Sequence, residues 1–328
     1  MLFITNRTPN ESCVSEEGRT LTFDSKNNQP CFSIFFCERD DKTKQITEIM
    51  SPALFRRLKA SNAQELLLYI HGFSNTPEDV FQRASDLQSL LDRAAPGLVE
   101  VLTIMWPTDD DPGVLLDYWD DQATADASAP MLGRLLGKFL DWQKQPGQIE
   151  VPCLKRINVL SHSMGNRVLV KTIDNFAKGF GGGSLPYMFR NLFMIAADVP
   201  DESLESGQPG RTLTEISRNV VVYYANDDKA LMASRGANGM RVGEFTRRLG
   251  HYGPENMDQV QRNVYAADCD GFNGRFDQLK GHSYFLTDQT PHVKSDGSPN
   301  GVISPALLHM IKCMQTGRVP GSDRSFVL

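Results

Sequence analysis

The chain has no run rich in lysine or arginine, and its 34 basic residues are outnumbered by 40 acidic ones, giving a formal net charge of −6. Binding a phosphate backbone calls for a basic stripe, so nucleic acid is not an expected partner. No apolar stretch approaches the roughly 18 residues that span a bilayer. The opening MLFITNRTPN has no basic segment leading into a long apolar one, so no secretory leader is expected. Cysteine is sparse: Cys13, Cys31, Cys37, Cys153, Cys269 and Cys313 are scattered, without C-x-x-C pairs or zinc-ligand spacing. That argues against a disulfide scaffold and for a reducing, cytoplasmic setting. Proline/glycine-rich linkers and internal repeats are also missing, so residues 1–328 are read as one domain. Nothing in the sequence marks an oligomeric state.

What is present is ordinary for a folded chain, at 40% hydrophobic and 23% charged residues. "CFSIFFCERDDKTKQITEI" reads as two β-runs around a charged turn, Asp40 to Lys44, hence an antiparallel hairpin at one edge. From Glu65 onward come "LLLYI", "VEVLTIMW", "INVL", "NLFMIAA", "NVVVYY" and "NVYAAD", short and nearly continuous apolar runs of the kind that parallel strands covered on both faces require. Helical patterns alternate with them. Thr76-Pro77-Glu78-Asp79 supplies an N-cap, a first-turn proline and an acid at the third position, before Val80, Phe81, Ala84, Leu87 and Leu91 recur on one face. Met131, Leu132, Leu135, Leu136 and Phe139 form a second such face. The expectation is an α/β fold, mostly parallel, with helices on both faces and no large cap domain.

One junction between run and helix carries chemistry. In "INVLSHSMGNRVLV", Ser163 stands between Ser161 and Gly165, the small-x-Ser-x-Gly pattern of a sharp strand-to-helix turn that exposes a serine hydroxyl at the sheet edge. The Met164 N–H then opens the next helix, facing any developing oxyanion. A serine here could equally serve only as a helix N-cap. After "LLLYI", His71-Gly72-Phe73 begins a loop whose Phe73 N–H is the candidate second oxyanion donor, with Gly72 allowing close approach. The His71 side chain is read as merely bonding that loop.

A serine nucleophile on such a fold is followed in the chain by an acid and then a histidine. That order excludes His71 and disfavours His162. Of the rest, His309 lies in a helical apolar stretch and His292 in a polar loop. His282, in "GHSYFL" after the last β-run, is the candidate base, with His251 behind it. For the acid, "NVVVYYANDDKAL" offers Asp228 at a strand end, with Asp227 beside it and Asp198 one strand earlier as alternatives.

Together, "YIHGFSN", "MWPT", "YWDDQATADAS" with Tyr118, Asp121, Ala125 and Ser128, "LSHSMGNRVL", "AADVPDE", "YYANDDKAL" and "GHSYF" resemble the α/β-hydrolase superfamily, and within it an esterase/lipase-like family catalogued as a domain of unknown function. These pieces run in order over residues 65–286. The resemblance implies Ser163, Asp228 and His282 as nucleophile, acid and base, and Phe73 and Met164 as oxyanion donors. It departs at Asn226, where that family more often has serine, so Asp227 stays open beside Asp228.

The expected activity is hydrolysis of a small-molecule carboxylic ester through an acyl-enzyme, without metal or cofactor. Amide cleavage or acyl transfer at the same serine, and a non-catalytic scaffold, are the rival readings. Trp106, Tyr118 and Trp119 are expected at the substrate, with Leu115, Leu116, Met232 and Phe245 as further apolar lining, which favours an uncharged acyl ester. The acidic run Asp109-Asp110-Asp111 has no histidine at ligand spacing and reads as a solvated loop rather than a metal site.

Overall fold

The apolar runs become neighbouring strands of one sheet. In the computed structural model, which describes residues 1–109, 114–180, 185–242, 245–321 and 323–328, the strands are β1 (Leu2–Arg7), β2 (Thr20–Leu21), β3 (Pro30–Arg39), β4 (Ile46–Glu48), β5 (Glu65–Ile70), β6 (Val99–Met105), β7 (Arg156–His162), β8 (Phe189–Ile195), β9 (Ser217–Tyr224), β10 (Val264–Asp268) and β11 (Ser325–Val327). Their order is β11-β10-β9-β8-β7-β5-β6-β1-β3-β4-β2. Pairing is parallel from β11 to β1 and antiparallel through β3, β4 and β2.

The expected hairpin is β3 and β4, but it does not stand alone. β1 lies between β3 and β6 and joins the amino-terminal strands to the parallel sheet. Its polar half, Thr5-Asn6-Arg7, hides it from an apolar-run reading, although all three are buried. At the opposite edge β11, only three residues long, is too short for any periodicity to show.

The helices are α1 (Met50–Ala60), α2 (Pro77–Ala94), α3 (Val114–Gln143), α4 (Pro146–Glu150), α5 (Gly165–Gly179), α6 (Arg211–Glu215), α7 (Lys229–Val242), α8 (Leu249–Tyr252), α9 (Asn273–Phe276) and α10 (Pro305–Thr316). Alternate strand residues point to opposite faces. Leu66, Ile70 and Val159 therefore pack with Leu132 of α3 and Val168 of α5, while Leu67, Tyr69 and Leu160 pack with Leu87 of α2 and Met310 of α10. α2 starts at the expected box: Thr76 Oγ1 accepts from Asp79 N, and Asp79 Oδ2 accepts from Thr76 N at 2.9 Å. The fold is α/β, mostly parallel, with helices on both faces and antiparallel strands at one edge. Among the described residues, no helix is long and apolar enough to cross a membrane.

A polar ladder runs through this apolar sheet near the start of its central strands. Asn158, Asn191 and Asn219 are register partners on β7, β8 and β9. Asn219 Nδ2 donates to Asn191 Oδ1 at 2.8 Å, Asn191 Nδ2 to Asn158 Oδ1 at 2.7 Å, and Asn158 Nδ2 to Glu65 Oε2 at 2.8 Å. Glu65 also meets Arg156 and Arg190. Buried amides must be paired, so the ladder penalises any slip of one strand against the next. Asn191→Ala leaves Asn158 Oδ1 without its donor and removes an acceptor of Asn219. We expect a loss of about 2–4 kcal/mol, read from urea unfolding midpoints; a change below about 0.5 kcal/mol contradicts the ladder's role.

Candidate active site

β7 and α5 are joined by a turn in which Ser163, a non-glycine residue, has φ of +53°. The left-handed region costs such a residue on the order of 1–2 kcal/mol, so its surroundings must hold it there. Ser163 N donates to Ile195 O at 2.9 Å, and Asn166 Nδ2 reaches Ser161 O, Ser163 O and Ile195 O at 3.0, 3.1 and 3.3 Å. Small neighbours are a steric requirement. A Cβ on Gly165 would lie 2.5 Å from His71 O and 2.8 Å from Ile70 O, and one on Gly72 would lie 3.0 Å from Ser163 Cβ. Ser163 does not serve as the helix cap: the N-cap is Met164, without a side-chain cap bond.

The turn opens on a cavity of about 440 Å³, whose lining includes Gly72, Phe73, Tyr118, Ser163, Leu231 and His282. The serine and the candidate base, 119 positions apart in the sequence, thus line the same cavity. His282 Nδ1 stands 2.6 Å from Asp228 Oδ2, and Asp228 Oδ1 accepts from Leu231 N at 3.0 Å. Asp228 is fully buried at 0% exposure. The histidine loop is fixed by Asp277 Oδ2, which accepts from His282 N and Ser283 N at 3.1 and 2.9 Å, and His162 Nε2 faces the His282 carbonyl at 3.3 Å.

Burial pulls the His282 imidazole toward its neutral form, but the Asp228 charge and hydrogen bond, backed by Asp198 and Asp277, outweigh it and raise the pKa above the ordinary value. A raised folded-state value means that this pairing contributes fully below the unfolded pKa and is lost as pH rises through the folded one. His162, by contrast, is held well below the ordinary value by burial and then by His282.

The other acids are engaged elsewhere. Asp227 accepts from Asn273. Asp198 accepts from Tyr118 Oη at 2.8 Å and Ser234 Oγ at 2.5 Å and pairs with Arg248 at 3.3 Å, tying α3 and α7 to the end of β8. His251 packs against Tyr252, and His309 bonds Tyr223. His292 meets Thr287, while His71 bridges Gly72 O and Trp106 O.

Phe73 lines the same cavity as Ser163, and Met164 follows Ser163 in the chain; among the described residues neither backbone N–H donates to a backbone carbonyl in a turn or loop. The Phe73 loop is braced from three sides. Ser74 N donates to Asp121 Oδ2 at 3.0 Å, Asn75 Nδ2 to Gly72 O and Phe73 O at 3.1 and 2.6 Å, and Thr108 Oγ1 to Asn75 O at 2.6 Å. Asn166 and Asp277 brace the site without having been singled out from sequence; only Asn166, next to the motif, offered a local signal.

Several expected lining residues lie elsewhere. Trp106 is fully buried, stacked on His71, with Nε1 donating to His71 O at 2.8 Å. Trp119 packs into the core and donates to Ala237 O, and Met232 and Phe245 face outward. The amphipathic pattern that marks such residues as apolar does not say which apolar surface they meet. Leu115 and Leu116 side chains lie outside the described residues.

The acidic run also differs from the solvated loop expected. Asp109 is buried with Asp117 and Asp121, their ligand oxygens all within 4.8 Å of one another; Asp110 and Asp111 lie outside the described residues. An all-carboxylate set suits a hard divalent cation. The Arg7 guanidinium already supplies positive charge there: burial lowers its pKa to about 10, against the pull of Asp109 and Asp121. Burial, then Asp117 and Asp109, pushes Asp121 up to about 8. None of the three carboxylates lines the Ser163 cavity.

Comparison with known proteins places this geometry in context. A family model described as an alpha/beta hydrolase of unknown function matches residues 25–292. No curated protein matches the chain. Among solved structures, phospholipase PlaB from Legionella pneumophila in complex with thio-NAD is similar at 14% identity over 65% of this chain, with a TM-score of 0.22. The match spans 39% of that protein's chain.

The imidazole-carboxylate pair is directly measurable. In an NMR titration of imidazole Cε1–H, His282 is expected to have its midpoint above about 6.5 in the native protein. In Asp228→Asn the midpoint should fall below that of the native protein, because burial then dominates. An unmoved midpoint contradicts the pairing.

Proposed function

The chain belongs to the DUF900 family of α/β hydrolases, and from that premise we propose that it cleaves carboxylic esters, with Ser163 as nucleophile, His282 as base and Asp228 as the orienting acid. One observation carries the reading: Asp228 Oδ2, 2.6 Å away, fixes His282 Nδ1 as the protonated nitrogen, on a ring that lines the same cavity as Ser163. In that tautomer Nε2 is the basic nitrogen.

Nε2 takes the Ser163 proton as Oγ attacks the ester carbonyl, and Asp228 stabilises the resulting imidazolium. Charge that builds on the carbonyl oxygen meets the Phe73 and Met164 N–H groups, rigid dipoles that need little reorganisation. Collapse of the tetrahedral intermediate expels the alcohol, which takes the proton from His282. Water, deprotonated by the same nitrogen, then attacks the acyl-serine and releases the acid. The strained turn at Ser163 supports the reading, since strain of that kind persists where neighbours over-determine it and is concentrated at functional sites.

Two further expectations belong to this proposal. The eleven-stranded sheet, joining strands from both ends of the chain, supports a single domain over residues 1–328. A reducing compartment such as the cytoplasm stays the proposed setting, on the scattered spacing of the six cysteines.

Ser163→Ala should lose about 10⁴- to 10⁶-fold in turnover of 4-nitrophenyl acetate, and Asp228→Asn about 10⁴-fold or less. A fluorophosphonate probe should label native protein and not the Ser163 variant. Labelling at another residue, or near-native turnover by Ser163→Ala, removes the assignment; no labelling of folded native protein supports a scaffold instead.

A further inference from the structure

The charge around the cavity departs from that of the molecule. Within a chain of net charge −6, the lining includes three cations, Arg83, Lys229 and Lys280, against one carboxylate among the described residues, Asp198. Asp198 is itself compensated by Arg248 at 3.3 Å and by the Tyr118 and Ser234 hydroxyls. Among the described residues, none of the three lining cations stands in an ion pair.

Each cation is placed by the fold. Arg83, half-buried on α2, donates to Ser283 Oγ at 3.3 Å, beside the candidate base. Asp86, one turn on, accepts from Gln82 Nε2 at 2.9 Å. Lys229 follows Asp228 directly, and its backbone N donates to Lys280 O at 3.0 Å, which holds the two exposed lysines side by side at the rim. Positive charge concentrated in a concave, partly desolvated site attracts anions more strongly than the same charge spread over a surface. The apolar lining is modest: Leu231, Ala233 and Ala237 from α7, together with Phe73.

Building on the ester-hydrolase reading above, we propose that the preferred substrates are esters bearing an anionic group within reach of Arg83, Lys229 and Lys280. The neutral acyl ester expected from sequence rested on Trp106, Trp119, Met232 and Phe245, which are not in the cavity lining, and on Leu115 and Leu116, whose side chains lie outside the described residues. Three cations separated by 146 and 51 positions in the chain form no cluster that a linear reading can detect.

Matched pairs of esters test this. In the first, 4-nitrophenyl hydrogen glutarate is compared with its neutral methyl ester, following nitrophenolate release above the spontaneous rate. In the second, 4-acetoxybenzoate is compared with methyl 4-acetoxybenzoate, which moves the anion from the acyl side to the leaving group. At low ionic strength, kcat/KM for the anionic member of at least one pair should exceed that of the neutral member by about tenfold. The ratio should shrink in 0.5 M NaCl, where the screening length drops to a few ångströms. It should fall toward one in Lys229→Met/Lys280→Met, whose sites are exposed enough to spare the fold, and in Arg83→Met. Ester hydrolysis with ratios at or below one in both pairs, or a native preference that none of these variants lowers, overturns the anion preference and leaves the serine-hydrolase reading intact. Failure to hydrolyse any of the four esters counts against that reading, and with it this inference.

Discussion

The site depends on a steric fact about two backbones. The end of β5 runs so close to the turn after β7 that a methyl group at Gly165 would overlap the His71 and Ile70 carbonyls, and Gly72 is nearly as tight against Ser163. That closeness brings Ser163 and the start of the Phe73 loop together at the same cavity. It also holds Ser163 in a conformation that an isolated serine avoids. Every other feature of the site is arranged around this junction.

The supports are largely polar and buried. Asn166 ties the turn to β8, Asp277 fixes the loop carrying His282, and Asp121 takes the Ser74 N–H of the loop after β5. Hydrogen bonds of this kind add modest net stability, but breaking one leaves a group buried and unmatched, so they restrict geometry more than they add strength. The asparagine ladder applies the same logic to strand register. Precise strand alignment near its beginning helps to fix where each strand ends, and the site is built at those ends.

Charge is organised separately from packing. Buried acids have local partners: Asp228 with His282, Asp198 with Arg248, and Asp109 and Asp121 with the nearby Arg7. Arg83, Lys229 and Lys280 instead border the cavity and, among the described residues, stand in no ion pair, the contrast on which the proposed anion preference rests. Tyr118 and Ser234 connect the two settings, since both touch Asp198 and line the cavity.

The sequence by itself determined the alternation of apolar runs and amphipathic faces, the capping box at Thr76, and the small residues around Ser163, because each depends on neighbours within a turn or two. Asp228 and His282 were legible as candidates through chain order, although Asp227 and Asp198 stood beside them. The recurring asparagine at the head of three β-runs was visible but meaningless until β7, β8 and β9 lay in register. Only the tertiary structure decided which aspartate meets the imidazole, that Trp106 is buried against His71, and that the cavity is lined by three scattered cations. Those facts come from contacts between elements far apart in the chain, and hydrophobic periodicity specifies that a face is buried without specifying what it meets.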